Sequence, residues 1–147
     1  MSEPISVTIT RQENYQFLVD FGPGIANIVA DEPAPLGATA GPSPSQLLAA
    51  AVANCLSASL LFAHARFHED PGRLITTASC EIGRNEKNRL RVTEIKVTMT
   101  LGVMPESLNH LDRALAQFED FCTVSQSVQS GIPFTVTIKG PDGRILK

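Results

Sequence analysis

Residues 43–67, SPSQLLAAAVANCLSASLLFAHARF, decide the fold. Ser43 can cap a helix and Pro44 suits its first position. Gln46, three residues after Ser43, completes a capping box. Ala and Leu then carry the helix to about Phe67, where Pro71-Gly72 stops it. The segment is apolar almost all round, so it needs cover from sheet, other helices or a second subunit. One sheet face in a chain of 147 residues hardly covers such a helix, from which a symmetric homodimer follows. Asn54, Ser57 and Ser59 interrupt its most apolar run, Leu47 to Ala63, which falls short of a comfortable bilayer span. A buried core helix is the better account.

Upstream of the helix the chain alternates. Ile5, Val7 and Ile9 share one strand face, and Tyr15, Phe17, Val19 and Phe21 share another, with Gln12–Asn14 as a hairpin turn. Gly22-Pro23-Gly24 breaks the second strand and residues 25–30 form a third. The loop DEPAPLGATAGPSPS, residues 31–45, is dense in Pro and Gly, the composition of a functional loop. Downstream, residues 74–83 and 90–101 read as two long strands around a polar turn, with Ile95, Val97, Met99 and Leu101 inward. Pro105 opens a second helix whose Leu108, Leu111, Leu115 and Phe118 step by 3, 4 and 3. Gly131 ends that region, and Phe134, Val136 and Ile138 form a last strand before a charged tail. The order β-β-β-α-β-β-α-β is an α+β pattern in a single domain over residues 1–147.

Composition narrows the function. A net charge of -3 leaves no basic excess, so neither nucleic acid nor an anionic membrane is an expected partner. Trp is absent and Tyr15 is the only tyrosine, which leaves few platforms for stacked bases. Three cysteines do not make a secreted disulfide framework, and MSEPISVTIT lacks the features of a signal peptide. A cytoplasmic protein is expected.

The thiols carry what chemistry there is. Cys55 lies mid-helix, where a small core hydrophobe is the ordinary reading and burial raises a thiol pKa. Cys122 continues the 108–118 stripe by another step of four and so faces the core. If the chain instead bends at Thr123, Cys122 starts a short helix to Gly131 whose N-terminus lowers its pKa. Either way the two cysteines occupy core-facing positions that can meet across a helix contact. Cys80 shares strand parity with Leu74, Ala78 and Ile82 and reads as packing. His64, nine residues beyond Cys55, falls on the opposite helix face and does not make a Cys–His pair with it. No CxxC or HExxH spacing occurs, so no metal site is expected. GATAG lacks the lysine of a phosphate-binding loop.

Residues 31–62, DEPAPLGATAGPSPSQLLAAAVANCLSASLLF, resemble the core signature of the OsmC/Ohr superfamily: a Pro/Gly-rich loop, then GP-S-P-S-Q-L-L, then an Ala-rich helix carrying a cysteine. FEDFCTVSQSV, residues 118–128, resembles the segment holding the family's second cysteine, and the 67-residue separation of Cys55 and Cys122 is of the family's size. The strand-loop-helix order matches over essentially the whole chain. The resemblance implies an OsmC-like fold, antiparallel sheets around a long buried central helix, in an intertwined homodimer. It also implies a thiol peroxidase that reduces organic hydroperoxides without cofactor or metal. Cys55 would become a sulfenic acid, Cys122 would condense with it, and a dithiol would reduce the disulfide.

Two positions depart from that pattern. Ser45 stands where active members carry a Glu just after the helix-start Pro. They also carry an Arg before the helix, whereas here no Arg or Lys occurs between Phe21 and Ser43, leaving Arg11 as the upstream arginine. Asp31 and Glu32 fill the loop instead, so the supporting residues are expected among Ser45, Glu32 and Arg11. Three functions follow: a hydroperoxide-reducing peroxidase, whose missing charge a partner-subunit cation or Arg11, Arg66 or Arg91 would have to supply; a redox-responsive or small-molecule-binding dimer without efficient turnover; and a structural role in which both cysteines fill core.

Overall fold

The computed structural model describes residues 2–147. The chain divides into two compact units, Met1–Leu47 and Leu48–Lys147. In the first, β1 (Thr8–Glu13), β2 (Gln16–Asp20) and β3 (Ile28–Ala30) form an antiparallel sheet in that order. The turn from β1 to β2 uses Asn14 at φ 48, a left-handed position that asparagine tolerates. Beyond β3 the Pro/Gly-rich segment is ordered by one carboxylate. Asp31, 3% exposed, accepts hydrogen bonds from the backbone N–H groups of Glu32 (2.8 Å), Ala38 (3.0 Å) and Ala40 (3.0 Å). These bonds, the Ala40 bond foremost, hold its pKa below the usual carboxylate value. Gly41 runs so close to the Val29 carbonyl that a Cβ there would overlap it.

α1 runs Pro44–Ala65. Its first turn carries the expected capping box: Gln46 N donates to Ser43 Oγ at 3.3 Å, and Ser43 N donates to Gln46 Oε1 at 2.9 Å. Ser43→Ala therefore removes one side of a reciprocal cap. It is expected to cost about 1 kcal/mol in urea unfolding, whereas Ser45→Ala, one residue inside the helix, should cost well under half of that.

In the second unit β4 (Ile75–Arg84), β5 (Leu90–Thr100) and β6 (Phe134–Lys139) form a three-stranded sheet in that order. β4 and β5 pair antiparallel. β6, however, lies parallel to β5, so pairing is not antiparallel throughout. A parallel neighbour needs a long crossover, and the helical residues between β5 and β6 supply it. Ile95, Val97, Met99 and Leu101 all point into a buried cluster with Val52, Leu56, Leu60 and Ala63 of α1. α1 is long and apolar enough to cross a bilayer by length and composition, but these four residues pack as those of a core helix do. Its cover is incomplete within the chain: Ala50, Asn54, Ala58, Leu61 and Ala65, a line of steps of 4, 4, 3 and 4, is exposed.

Three local expectations change. β1 starts at Thr8 and runs to Glu13, so Ile5 and Val7 lie outside it and the turn sits at Asn14-Tyr15 instead of over Gln12–Asn14. Strand parity does not run through Ile82, because a bulge between Glu81 and Ile82 turns that side chain outward. The helix expected from Pro105 is four short pieces: a 3-10 turn at Pro105–Ser107, α2 (Leu111–Gln117), a 3-10 turn at Phe118–Phe121, and α3 (Thr123–Val128). Leu108 at φ -109, ψ 101 and Cys122 at φ -85, ψ 98 are extended and break the run. The stripe still works, since Leu108, Leu115, Phe118 and Cys122 are all buried. The tail folds back, with Lys147 Nζ 2.6 Å from Glu119 Oε2 and 2.8 Å from the Leu115 carbonyl.

Candidate active site

Helical geometry sets where Cys55 can look. At about 100° per residue, Cys55 falls between the face that carries Val52, Leu56, Leu60 and Ala63 and the exposed line from Ala50 to Ala65. It is accordingly half-buried, at the edge of the core. Ser59, four residues on, and Phe62, three further, share this flank. Together with Ala58 and Phe121 they line an open hollow of about 450 Å³ with Cys55 at its wall. Phe62 and Phe121 meet edge to face, centroids 5.2 Å apart and planes at 87°. The Arg66 guanidinium carbon lies 5.5 Å from the Phe121 centroid.

Cys122 reaches the same place from the other side. It is fully buried and caps α3, its sulfur accepting the Ser125 N–H at 3.4 Å. Its backbone is held on both sides, N–H to the Glu119 carbonyl (3.1 Å) and carbonyl to the Gln126 N–H (3.0 Å). The Cys122 thiol interacts with that of Cys55, so residues 67 positions apart are neighbours here. The pKa of Cys122 is raised, where a helix N-terminus would have lowered it. Burial is the largest cause and the Cys55 contact the next; the Ser125 hydrogen bonds oppose them without winning. A six-residue helix has too few aligned peptides to reverse that. Burial thus favours the protonated form of the Cys122 thiol beside Cys55. Cys80 lies elsewhere, half-buried in β4 opposite Ile95, its pKa also raised by burial.

The family model for OsmC-like proteins matches residues 37–137. The chain belongs to the OsmC-like protein family. Solved structures carry the same fold at low identity. An OsmC-like protein of unknown function from Vibrio cholerae O1 biovar eltor superposes with a TM-score of 0.77 at 20% identity, covering 94% of this chain and 99% of that one. The OsmC-like protein of Mycoplasma pneumoniae gives 0.79 at 15% identity, covering 95% and 99%. An organic hydroperoxide resistance protein from Elizabethkingia anophelis gives 0.69 at 20% identity, covering 95% and 99%. No curated protein sequence matches the chain.

The three supporting residues expected in this OsmC-like protein all fall in the first unit. Arg11 is exposed on β1, and its Nε donates to the Asn14 carbonyl at 2.9 Å, closing the β1–β2 turn. Glu32 is half-buried; its carbonyl accepts the Thr39 N–H at 3.2 Å, and it helps line an apolar hollow of about 480 Å³ with Val7, Ile9, Phe17 and Leu47. Ser45 stands in the first turn of α1. The sequence reading missed Asp31 as the organiser of the loop. The signal was available, since a short carboxylate before a Pro/Gly run is suited to bonding nearby backbone N–H groups. It also missed Phe62, Ser59 and Phe121 as pocket walls, although the 55, 59, 62 spacing marks one flank of a helix.

Among the described residues no group of three or more His, Cys, Asp or Glu is placed to hold a metal ion. His64 and His68 stand four apart, but α1 ends at Ala65 and His68 has φ 56, so they do not share a helix face. His64 is fully buried on the face opposite Cys55 and neither ring nitrogen has a hydrogen-bond partner. Its Nδ1 is 3.7 Å from Glu69 Oε1. Burial lowers its pKa below 6.5, more than the charges of Glu69 and Asp70 raise it. The unfolded chain thus takes up a proton near pH 6.5 that the folded chain refuses. His64 contributes stability above that pH, which is lost as the pH falls toward the lowered folded value. The urea midpoint is expected to drop between pH 7 and pH 5, and His64→Leu should flatten that drop.

Proposed function

We propose that this OsmC-like protein is a thiol-dependent peroxidase that reduces organic hydroperoxides through Cys55. The observation that carries the reading is the pair of neighbouring cysteines, Cys55 at an apolar hollow and Cys122 fully buried beside it. An apolar site favours an organic peroxide over hydrogen peroxide. The Cys55 thiolate attacks the distal peroxide oxygen, an S–O bond forms and the O–O bond breaks. The alkoxide takes a proton and leaves as the alcohol, and Cys55 becomes a sulfenic acid. The Cys122 sulfur then attacks the Cys55 sulfur; hydroxide departs, takes the Cys122 proton and leaves as water. A dithiol restores both thiols by two exchange steps. The buried position of Cys122 keeps it from competing for peroxide and leaves it for the second step.

The exposed line Ala50, Asn54, Ala58, Leu61, Ala65 supports a homodimer in which a second copy covers α1. A reducing cytoplasm would supply the dithiol.

A second reading has one observation in its favour. None of the side chains lining the hollow is cationic, so nothing in it favours the thiolate by charge. On that reading the pair is a redox-responsive or ligand-binding device without turnover. Cumene hydroperoxide with excess dithiothreitol separates the two. The peroxidase consumes many equivalents of peroxide per subunit, while consumption that stops at one equivalent or below contradicts turnover.

A further inference from the structure

We propose that Arg66 is the specificity residue of the thiol pocket, anchoring the carboxylate of a long-chain hydroperoxide whose peroxide group lies at Cys55. This rests on the peroxidase reading. Cys55, Ser59 and Phe62 step by 4 and 3 along one flank of α1, and Arg66, just past its end, continues the spacing with its N–H bonded to the Phe62 carbonyl at 3.3 Å. The backbone rises about 16 Å from Cys55 to Arg66, and the Arg66 guanidinium lies over Phe121, a wall of the thiol hollow. Between them lie the two aromatic rings, Phe62 and Phe121, in edge-to-face contact. Phe121 serves both ends: it walls the hollow that holds Cys55 and it carries the Arg66 guanidinium over its ring.

Arg66 is exposed, and among the described residues no carboxylate lies within ion-pair distance of it. The cation–π contact leaves its fork of N–H donors available, and that fork matches a carboxylate in two parallel hydrogen bonds. A cation at one end, an aromatic wall between and a thiol at the other end fit an acyl chain with an anionic head and a mid-chain peroxide. A compact neutral hydroperoxide carries no anionic head for Arg66 to hold. Substrate dependence separates this role from thiolate activation. A cation that lowered the barrier at Cys55 would do so for every substrate and shift the pH dependence, whereas an anchor acts only on substrates that carry the head.

The test compares linoleic acid hydroperoxide, its methyl ester and cumene hydroperoxide as substrates of the full chain, its Arg66→Gln and its Arg66→Lys variants. Arg66→Gln should raise KM for the free acid about tenfold, the scale of one charge-assisted contact. It should leave kcat and the pH profile unchanged and leave both neutral substrates unaffected; Arg66→Lys should recover part of the loss. An equal loss on all three substrates, a shifted pH profile, or no effect on the acid overturns the proposal. The corresponding hydroxy acid, which cannot oxidise Cys55, gives a readout that does not need turnover. It should bind the unsubstituted protein about tenfold more tightly than Arg66→Gln. Equal binding overturns the anchor even if peroxide is reduced, and unequal binding supports the anchor even if it is not.

Discussion

Cys55→Ser is expected to leave organic hydroperoxide unconsumed, at least about 10³-fold slower than the unsubstituted protein, with the fold intact. Cys55 is the one thiol that lines the hollow. Ser59, the hydroxyl beside it, has no adjacent base among the lining residues to activate it. Cys122 is fully buried and its pKa is raised, so it does not take over. Cys122→Ser should behave differently. The first peroxide is still reduced, because Cys55 keeps its place in the hollow, but the sulfenic acid then has no thiol to condense with. It should be trapped by dimedone in good yield and pass to the sulfinic acid under excess peroxide, so that activity dies over successive turnovers. Loss of the first turnover in Cys122→Ser would mean that the neighbouring thiol is needed to prepare Cys55.

The largest effect on stability is expected at Phe118. It is fully buried, joins the cluster that contains Leu56, Leu60, Met99 and Cys122, and carries Lys147 Nζ 5.2 Å from its ring centroid. Phe118→Ala removes that packing and leaves a cavity, at a cost of about 3–5 kcal/mol. That is a large share of the stability of a protein this size. Urea unfolding should show a much lower midpoint with little change in slope. Phe118 also precedes Cys122 by one turn, so partial unfolding of this segment should expose Cys122 to alkylation before Cys80.

Most of the fold is legible because its signals are local. The Ser43-Pro44-Gln46 start of α1, the alternation of Ile95, Val97, Met99 and Leu101, and the hairpin at Asn14 each need only their neighbours to be read. The larger misreadings have a distant cause. The leucine spacing from Leu108 to Phe118 suits one helix, but the break before α2 is stabilised by Glu69, whose carboxylate accepts the N–H groups of Asn109 at 2.6 Å and His110 at 3.2 Å. Those partners lie 40 and 41 residues away. The bulge at Glu81 and the parallel seating of β6 are likewise set by pairing that no local pattern encodes. The site divides in the same way. Cys55 and Cys122 stand out one by one, and the family resemblance pairs them, but their contact depends on how α1 meets the segment ending at Cys122. Phe121 escapes notice because it is an ordinary aromatic until Phe62 and Arg66 are placed against it.

The claim on which the rest depends is that Cys55 and Cys122 are one redox unit. Peptide mapping by mass spectrometry after one equivalent of cumene hydroperoxide, with alkylation of the remaining thiols, tests it directly. The account predicts a single disulfide-linked pair of peptides joining Cys55 to Cys122 within one chain, with Cys80 recovered alkylated. Recovery of both Cys55 and Cys122 as alkylated thiols after excess oxidant, from protein that is still folded, would contradict it.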